Sequence, residues 1–439
     1  FSKQTKFTFS FFGLNARRSA LGFRTNRVNQ IDPLEERDLI ESDFNNFGFE
    51  ARLLSKYKIG EKHAIFLIGS KLYNSDNQER QGPGSDGFVA DFSFRNDEFP
   101  NYPNQSEFDL PNINVAVFGE NIFYLSDKFS FTPGFRFEYI KTESDGFFKR
   151  INTDAAGNVI NNETIQDQRE FERSFVLLGL GLSYKPNDNL EVYGNISENY
   201  RSVTFSDINI TNPAFAVNPD ITDEEGFTAD IGLRGNYNNF MSYDLGVFAL
   251  SYEGRIGFVQ KVLEDNRIIS ERGNVGDALM YGVESLVDFN FKKLLSLNSN
   301  YQFNVFVNTS FINSEYTNSQ QFGIEGNAVE FVPDLNLKTG FRFAYKDFAA
   351  SMQYTYLSSQ FTDATNSVQS SLSGVIGEIP EYDVLDFSLS YRYKQFKLET
   401  GINNLLDESY FTRRATGYPG PGIIPSAPQN WYATLEVKF

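Results

Sequence analysis

Four arginines, each within or beside a long polar stretch of the chain, are the side chains best suited to bind a ligand. They are Arg80, Arg201, Arg413 and Arg414. A guanidinium group holds a carboxylate through forked, charge-assisted hydrogen bonds, so these arginines are candidates to bind an anionic, carboxylate-bearing ligand. The alternative is that each arginine pairs with a nearby Asp or Glu. The sequence alone leaves both interpretations open.

Enzyme chemistry and metal binding find little support among the other side chains. The chain has no Cys and one His, His63, which lies beside a KIGEK turn without the spacing of a metal site. The GPGSDG segment lacks the Lys-Ser/Thr and the helix of a phosphate-binding loop, and no Asp-rich loop has the ligand spacing of an EF-hand. We therefore expect no catalytic residue, no cofactor and no bound metal.

Length and charge exclude further classes. The 439 residues carry a net charge of −18, which disfavours nucleic acid because phosphates need a basic surface. The longest apolar run, FVLLGLGL, is far shorter than the ~18 residues of a transmembrane helix. No signal peptide opens the chain, and we expect an upstream portion to precede Phe1.

The elements that must position these side chains show a period of two. In WYATLEVKF, the last nine residues, Trp431, Leu435 and Phe439 fall on an apolar side and the intervening residues on a polar side. The stretches KFSFTPGFRFEY and LDFSLSYRY repeat the pattern, and no stretch shows a convincing helical period. The sequence predicts an all-β fold.

Short turns and long polar connections alternate along the chain. The short turns are predicted at 58–62, 125–128, 185–189, 236–239, 291–295, 345–347 and 393–395, with a tighter hairpin at Glu264-Asp265-Asn266. The long polar stretches are predicted at about 16–45, 75–110, 143–169, 200–225, 312–333, 359–383 and 404–429. This alternation predicts about 16 antiparallel strands and is typical of a transmembrane β-barrel.

The apolar side chains on one face of such strands must contact either a protein core or lipid. A soluble sandwich would hide them between two sheets and charge its outer faces. Here the polar faces mix both charge signs with Ser, Gly and Asn, and Phe and Tyr gather at the strand ends as in an aromatic girdle. We expect the apolar rows to face lipid and the mixed-charge positions to face the lumen. Those positions include Glu50, Arg52, Arg136, Glu138, Arg392, Lys397 and Glu399.

The stretch INNLLDESYFTRR…GYPGPGIIPSAPQNWYATLEVKF resembles the C-terminal end of TonB-dependent outer-membrane receptors. The segments at 198–208, 221–235 and 271–285 look like successive barrel segments of that family. The stretches GYPGPGIIPS, NYRSVTFSDI and RQGPGSDG most resemble the ferric-citrate branch of siderophore receptors. The resemblance also implies a signal for the outer-membrane assembly machinery on the last strand, formed by Trp431, Leu435, Val437 and Phe439.

Members of this family carry an N-terminal plug, a TonB box and a 22-stranded barrel. Residues 1–439 show neither plug nor box, so the resemblance implies that they form the C-terminal barrel portion of a longer receptor. The expected location is the outer membrane of a Gram-negative bacterium, crossed many times. The implied partners are a ferric chelate, the TonB-ExbB-ExbD complex through the upstream part, the assembly machinery, and lipopolysaccharide and other outer-membrane lipid.

The implied function is import of a ferric chelate, with capture by extracellular loops and passage gated by the plug. Two alternatives stay open. The strands could form a complete, passive 16-stranded porin, or the barrel could anchor loops that bind a surface partner.

Overall fold

A computed structural model describes residues 4–23, 31–32, 34–86, 89, 91–154, 156, 158–208, 215–262, 268–297, 300–371, 374–415 and 422–439. The first strands are β1 (Thr5–Gly22), β2 (Asp38–Ile59), β3 (Lys62–Pro83), β4 (Ser106–Tyr124), β5 (Phe129–Thr153), β6 (Val159–Asn187), β7 (Leu190–Arg201), β8 (Phe215–Val217), β9 (Glu224–Tyr237) and β10 (Met241–Val262). The later strands are β11 (Ile268–Asn290), β12 (Tyr301–Asn318), β13 (Leu335–Tyr345), β14 (Phe348–Leu357), β15 (Tyr382–Tyr393), β16 (Phe396–Asn403), β17 (Phe411–Ala415), β18 (Gly422–Pro425) and β19 (Asn430–Val437). Two short helices are α1 (Phe205–Ile208) and α2 (Phe291–Leu294).

The strands form one 17-stranded sheet, in which all but the short strand β8 are paired antiparallel in a single meander. Strand β8 adds three residues parallel to β11, and β17 and β18 make a separate hairpin. The all-β prediction is confirmed. The described sheet is open, because its edge strands β1 and β19 pair with β2 and β16 and not with each other. The predicted count of about 16 strands, as part of a 22-stranded barrel, stays a prediction. No described helix has the length and apolar character needed to span a bilayer.

The predicted short turns are confirmed at one end of the sheet. The turns at Gly60 and at Asn238-Asn239 use left-handed backbone, with φ of 62°, 46° and 58°, which Gly and Asn adopt more readily than other residues. The long connections all lie at the opposite end. The tight hairpin predicted at Glu264-Asp265-Asn266 falls outside the described residues.

Several stretches predicted as long loops are strand instead. The stretch 143–169 is mostly a two-stranded ladder, in which β5 and β6 stay paired from Thr142–Phe171 to Asn152–Asn161. Strands β2 and β3 likewise extend to the Asp38–Pro83 pair. The prediction was wrong because these extensions carry polar residues on both faces, so the apolar–polar alternation is lost while the backbone keeps its hydrogen bonds.

The two faces of the sheet differ as the alternation predicts. The outward rows expose large apolar side chains, for example Phe9, Leu178 and Val247 at 58%, 57% and 48%. On the opposite face Arg52 pairs with Glu50, Arg136 pairs with Glu138, and Lys397 lies 2.8 Å from Glu399. The strand registers place these charged positions on the face opposite the apolar rows.

On this charged face, aromatic rings lie against glycines of neighbouring strands. The ring of Phe118 covers Gly69, with the guanidiniums of Arg52 and Arg136 at 5.9 and 5.4 Å from its centroid. A Cβ built at Gly232 would lie 2.5 Å from the ring of Tyr193 and 2.8 Å from the Leu245 carbonyl oxygen. These positions require glycine because the ring occupies the space of the missing side chain.

We predict that Gly232→Ala weakens the wall. The added methyl must displace the Tyr193 ring or the backbone, which costs about 1–3 kcal/mol. Gly181→Ala is the matched control, because its Cβ would meet nothing nearer than the Thr132 Cβ at 3.7 Å. The measurement is the temperature at which the full-length receptor loses its compact migration on a gel. Equal transition temperatures for the two variants would contradict this packing.

Candidate functional site

A cavity of about 470 Å³ lies at the long-connection end of the sheet. The ends of β7, β9, β10 and β11 bound one side, and the connections 319–334, 358–381 and 404–429 bound the other. Its lining residues are Asn199, Tyr200, Arg201, Glu224, Tyr252, Arg255, Ile256, Gly257, Phe258, Arg272, Glu330, Phe331, Thr362, Asp363, Val375, Ile376 and Arg414. The volume falls within the roughly 300–1,000 Å³ of small-ligand sites.

Two apolar clusters hold the connections around this cavity. One contains Val203, Ile208, Ile221 and Ile256, and the other packs strands β10 to β12 against 324–329 and Ala364. These clusters place the buried apolar core of the described residues at the long-connection end, because the apolar rows nearer the short turns face outward. The cavity therefore has packed walls rather than loose loop tips.

Two lining arginines share one buried carboxylate. Asp207 of α1 is 1% exposed, and it accepts hydrogen bonds from both Arg201 and Arg272, at 2.9 Å and 2.7 Å. Thr204 also donates its backbone N–H (2.9 Å) and hydroxyl (2.7 Å) to Asp207. Burial alone would raise the pKa of Asp207, but the hydrogen bonds from Thr204, Arg272 and Arg201 outweigh it and lower the pKa to about 2.

The other two lining arginines differ in their partners. The Arg255 Nε lies 3.5 Å from Glu330, which also accepts a 2.6 Å hydrogen bond from the buried Tyr316 hydroxyl. Arg414 instead donates to two carbonyl oxygens, those of Gly374 (2.9 Å) and Glu378 (2.8 Å). Burial lowers the pKa of Arg414. No carboxylate of the described residues is within ion-pair distance of Arg414.

The cavity walls also hold polar atoms that lack hydrogen-bond partners. Six buried side-chain nitrogen or oxygen atoms of the described residues have no partner, and three belong to lining residues. These are the Asn199 Oδ1, the Asp363 Oδ1 and the Arg414 Nε. Buried polar groups are almost always paired, so their concentration at one cavity indicates a ligand site.

The structure divides the four predicted ligand arginines. Arg201 and Arg414 line the cavity. Arg80 does not line it: its guanidinium lies 2.8 Å from Glu41 and 5.5 Å from the Phe94 ring centroid. Arg413 is exposed beside the cavity and is not a lining residue.

Sequence reasoning missed Arg255 and Arg272. Around Arg255 the β10–β11 ladder has register shifts, and Ile256 and Val259 are buried on opposite faces of β10, so alternation no longer separates inside from outside. The available signal was weak, since Arg272 lies in the segment ERGNVGDALMYGVES already noted as barrel-like. Of the GYPGPGIIPS stretch, only Gly422 onward is described, and it forms β18.

The predicted assembly signal lies on the outward face of the edge strand β19 and just beyond it. Trp431 and Leu435 are 78% and 63% exposed, and Val437 and Phe439 are exposed on the same side. The described residues contain no group of His, Cys, Asp or Glu that could hold a metal ion.

Comparison with known proteins assigns the chain to a class of outer-membrane protein. Residues 1–405 match the family model "TonB dependent receptor-like, beta-barrel", and the chain belongs to that family. The family belongs to the Gram-negative outer membrane. Its members are transport proteins rather than enzymes.

Solved structures of low sequence identity share the fold. The unliganded ferric citrate transporter FecA matches 100% of this chain over 60% of its own, with a TM-score of 0.76 and 19% identity. The ferric yersiniabactin uptake receptor FyuA from Yersinia pestis gives a TM-score of 0.73 at 14% identity, over 100% and 60% of the two chains. The copper transporter OprC gives 0.70 at 16%, over 100% and 64%. This chain thus spans less than two thirds of each.

We predict that the Asp207 network loosens only in strong acid. A carboxylate whose pKa is depressed on folding adds stability above its unfolded pKa of 3.8, and loses it as the pH falls toward about 2. The loss amounts to about 2 kcal/mol, roughly a 30-fold change in protection. The measurement is hydrogen exchange of residues 201–208 in the full-length receptor, corrected for intrinsic rates.

Asp207→Asn should lower that protection at neutral pH and remove its pH dependence. Asp220→Asn, in the same connection but exposed, is the control and should change neither. Protection that stays constant from pH 5 to pH 2 in the unmodified receptor would contradict the role of Asp207.

Proposed function

We propose that residues 1–439 form the C-terminal barrel portion of a TonB-dependent receptor that imports an anionic ferric chelate, with ferric citrate as the first candidate. The upstream part would supply the plug, the TonB box and the remaining strands of a 22-stranded barrel. The chelate would be captured at the cavity at the long-connection end and released inward when the TonB-ExbB-ExbD complex acts on the plug. No covalent chemistry is required.

The observation that carries this proposal is the set of contacts made by the Arg414 guanidinium. Arg201, Arg255 and Arg272 each contact a carboxylate. Among the described residues, Arg414 contacts two carbonyl oxygens and the Phe411 ring (5.1 Å to the centroid), has no carboxylate partner, and has a buried Nε without a hydrogen-bond partner. A partly buried cation without a counter-charge favours an anion in the cavity. A chelate carboxylate bound there gains a charge-assisted hydrogen bond.

Arg414 also connects two of the cavity's walls. It lies on β17, in the connection 404–429, and its two carbonyl partners belong to the connection 358–381. A carboxylate that binds the guanidinium would therefore engage both connections at once. The net charge of −18 does not prevent capture, since charges beyond the Debye length of ~8 Å are largely screened at physiological salt.

Two alternatives, copper as the cargo and a complete passive porin, have less support. Copper favours soft ligands such as Cys and Met, and this chain has no Cys, one His and only three Met. A complete passive porin would need β1 to pair with β19, and the described strands lack that pairing.

We predict that Arg414→Gln in the full-length receptor weakens ferric citrate binding roughly 10- to 100-fold, since hydrogen bonds to charged groups contribute about 1.5–3 kcal/mol. Arg413→Gln is the matched control: it removes the same charge from the neighbouring exposed position, and its affinity should stay within about twofold because surface charges contribute little. The measurement is equilibrium binding of ferric citrate, with uptake of radioactive iron as the second readout.

A neutral ferric hydroxamate of similar size should bind the Arg414→Gln and unmodified receptors equally weakly. Equal losses in the two arginine variants would mean that overall charge, and not this cavity, attracts the ligand. Unchanged ferric citrate binding in Arg414→Gln would contradict the proposal that the chelate binds in this cavity.

A further inference from the structure

The charged side chains that line the cavity, together with Asp207 behind them, do not all have partners of opposite charge. Three ion pairs account for most of them: Arg201–Glu224 at 3.0 Å, Arg255–Glu330 at 3.5 Å and Arg272–Asp207 at 2.7 Å. Two lining groups of opposite charge remain, Arg414 and Asp363. Residues 372–373 and 416–421, in the two connections that carry these groups, include no charged side chain.

Asp363 is buried with one of its carboxylate oxygens unpaired. The residue is 2% exposed. Its Oδ2 accepts hydrogen bonds from the Thr365 N–H, at 3.1 Å, and from the Thr365 hydroxyl, whereas its Oδ1 accepts none. No Arg or Lys of the described residues forms an ion pair with this carboxylate. Because a buried carboxylate is costly without a cation or a full set of donors, Asp363 lacks a partner that a ligand can supply.

The chemistry of Asp363 defines the missing partner. The Asn199 Oδ1 is also unpaired, but a side-chain amide can turn to present either its oxygen or its nitrogen, so Asn199 fits a donor or an acceptor. An ionised carboxylate only accepts hydrogen bonds, and a buried one needs a positive charge to offset its own. The partner that completes Asp363 is therefore a cationic donor, and the chemical group that fits is an ammonium group.

The connection 358–381 keeps Asp363 and Arg414 apart. Asp363 lies in its first half, and the two carbonyl oxygens that bind Arg414 lie in its second half. The halves are tied together by Thr362, whose hydroxyl donates to the Gly377 carbonyl oxygen (2.9 Å) and accepts from the Gly377 N–H (3.0 Å). One tied segment thus presents a negative group and, through Arg414, a positive group to the same cavity of about 470 Å³.

We propose that this cavity is specific for a dipolar ferric chelate, one that carries an ammonium group as well as carboxylates. A carboxylate of the chelate binds Arg414, as in the proposed function on which this inference rests, and the ammonium group donates to the Asp363 Oδ1. Such a ligand leaves no charged lining group unpaired. Ferric citrate, whose free groups are carboxylates, satisfies Arg414 but leaves Asp363 without a cation, so it is a partial match to the site.

The test uses two ferric chelates that differ in one charge. The first is the iron(III) complex of citrate joined through a single amide to ethylenediamine, which keeps a free ammonium group. The second is the same complex with that amine acetylated. Equilibrium binding of both to the unmodified full-length receptor is measured. The ammonium chelate should bind roughly 10- to 100-fold more tightly, since hydrogen bonds between charged groups are the strong ones.

Asp363→Asn should remove this preference. The asparagine keeps an oxygen for the Thr365 N–H but loses the negative charge, so the two chelates should bind within about twofold of each other, without weaker binding of the acetylated one. Asp334→Asn is the matched control, because it removes the same charge from an exposed position in the neighbouring connection 319–334, and it should keep the full preference. Heat-modifiable migration on a gel verifies that each variant is folded.

Arg414→Gln separates this inference from the proposed function. It should weaken both chelates by the same factor and leave the preference for the ammonium form unchanged. Equal binding of the two chelates to the unmodified receptor, with a loss of both in Arg414→Gln, would overturn the dipolar specificity and leave the proposed function standing. A preference that survives in Asp363→Asn would also overturn the inference. Binding of neither chelate nor of ferric citrate would overturn the proposed function and this inference with it.

Discussion

The structure depends on one constraint, which is that backbone N–H and C=O groups next to hydrocarbon must be paired within the protein. The inner strands of the meander meet it through ladders with both neighbours along the lipid-facing rows, whereas the described edge strands β1 and β19 are each paired on one side. Because the ladder fixes which residues lie opposite each other, it also fixes which side chains face outward. The β6–β7 ladder is a local exception: it ends at the Gly179–Ser197 pair, and the next amide, Leu178 N–H, donates to the Glu198 carboxylate instead of to a backbone carbonyl.

The same constraint reverses the usual arrangement of a globular protein. Apolar side chains of the strands are exposed outward, and the buried apolar clusters lie where the long connections pack together. These clusters hold the arginine–carboxylate contacts of the cavity in a partly dry environment, where an unpaired charge matters most. Arg414 is the member of that set whose charge has no carboxylate partner among the described residues. The fold and the proposed binding site therefore both follow from the separation between the apolar rows that face lipid and the connections that pack together in water.

Sequence reasoning succeeded wherever a residue's neighbours along the chain carry the information. Alternation placed Glu50, Arg136 and Lys397 on the face opposite the apolar rows, and the short turns were found from Gly, Asn and Lys-Asp segments. It failed where information comes from distant segments. Arg255 and Arg272 reach the cavity because strand extensions and three connections converge there, and the residues next to them along the chain do not record that convergence.

The length of the strands shows the same limit. In the extensions of β5 and β6 polar residues lie on both faces, so the apolar–polar alternation that identifies a strand disappears although the ladder continues. Arg80 is a related case. Its position beside a Gly-Pro segment suggested a ligand role, but the long β2–β3 hairpin places it against Glu41 instead. Both differences arise because the hydrogen-bonded ladders continue beyond the residues whose apolar–polar alternation identifies them as strand.

The most direct test of the central claim is the accessibility of successive positions on β10 to lipid-soluble and water-soluble probes. Single cysteines at 244 to 247 would each carry a spin label in the full-length receptor, reconstituted in bilayers and otherwise free of cysteine. The labels at positions 245 and 247 should collide mainly with oxygen, and those at 244 and 246 mainly with a water-soluble nickel complex. Uniform accessibility, or the opposite alternation, would contradict the assignment of the apolar rows to lipid.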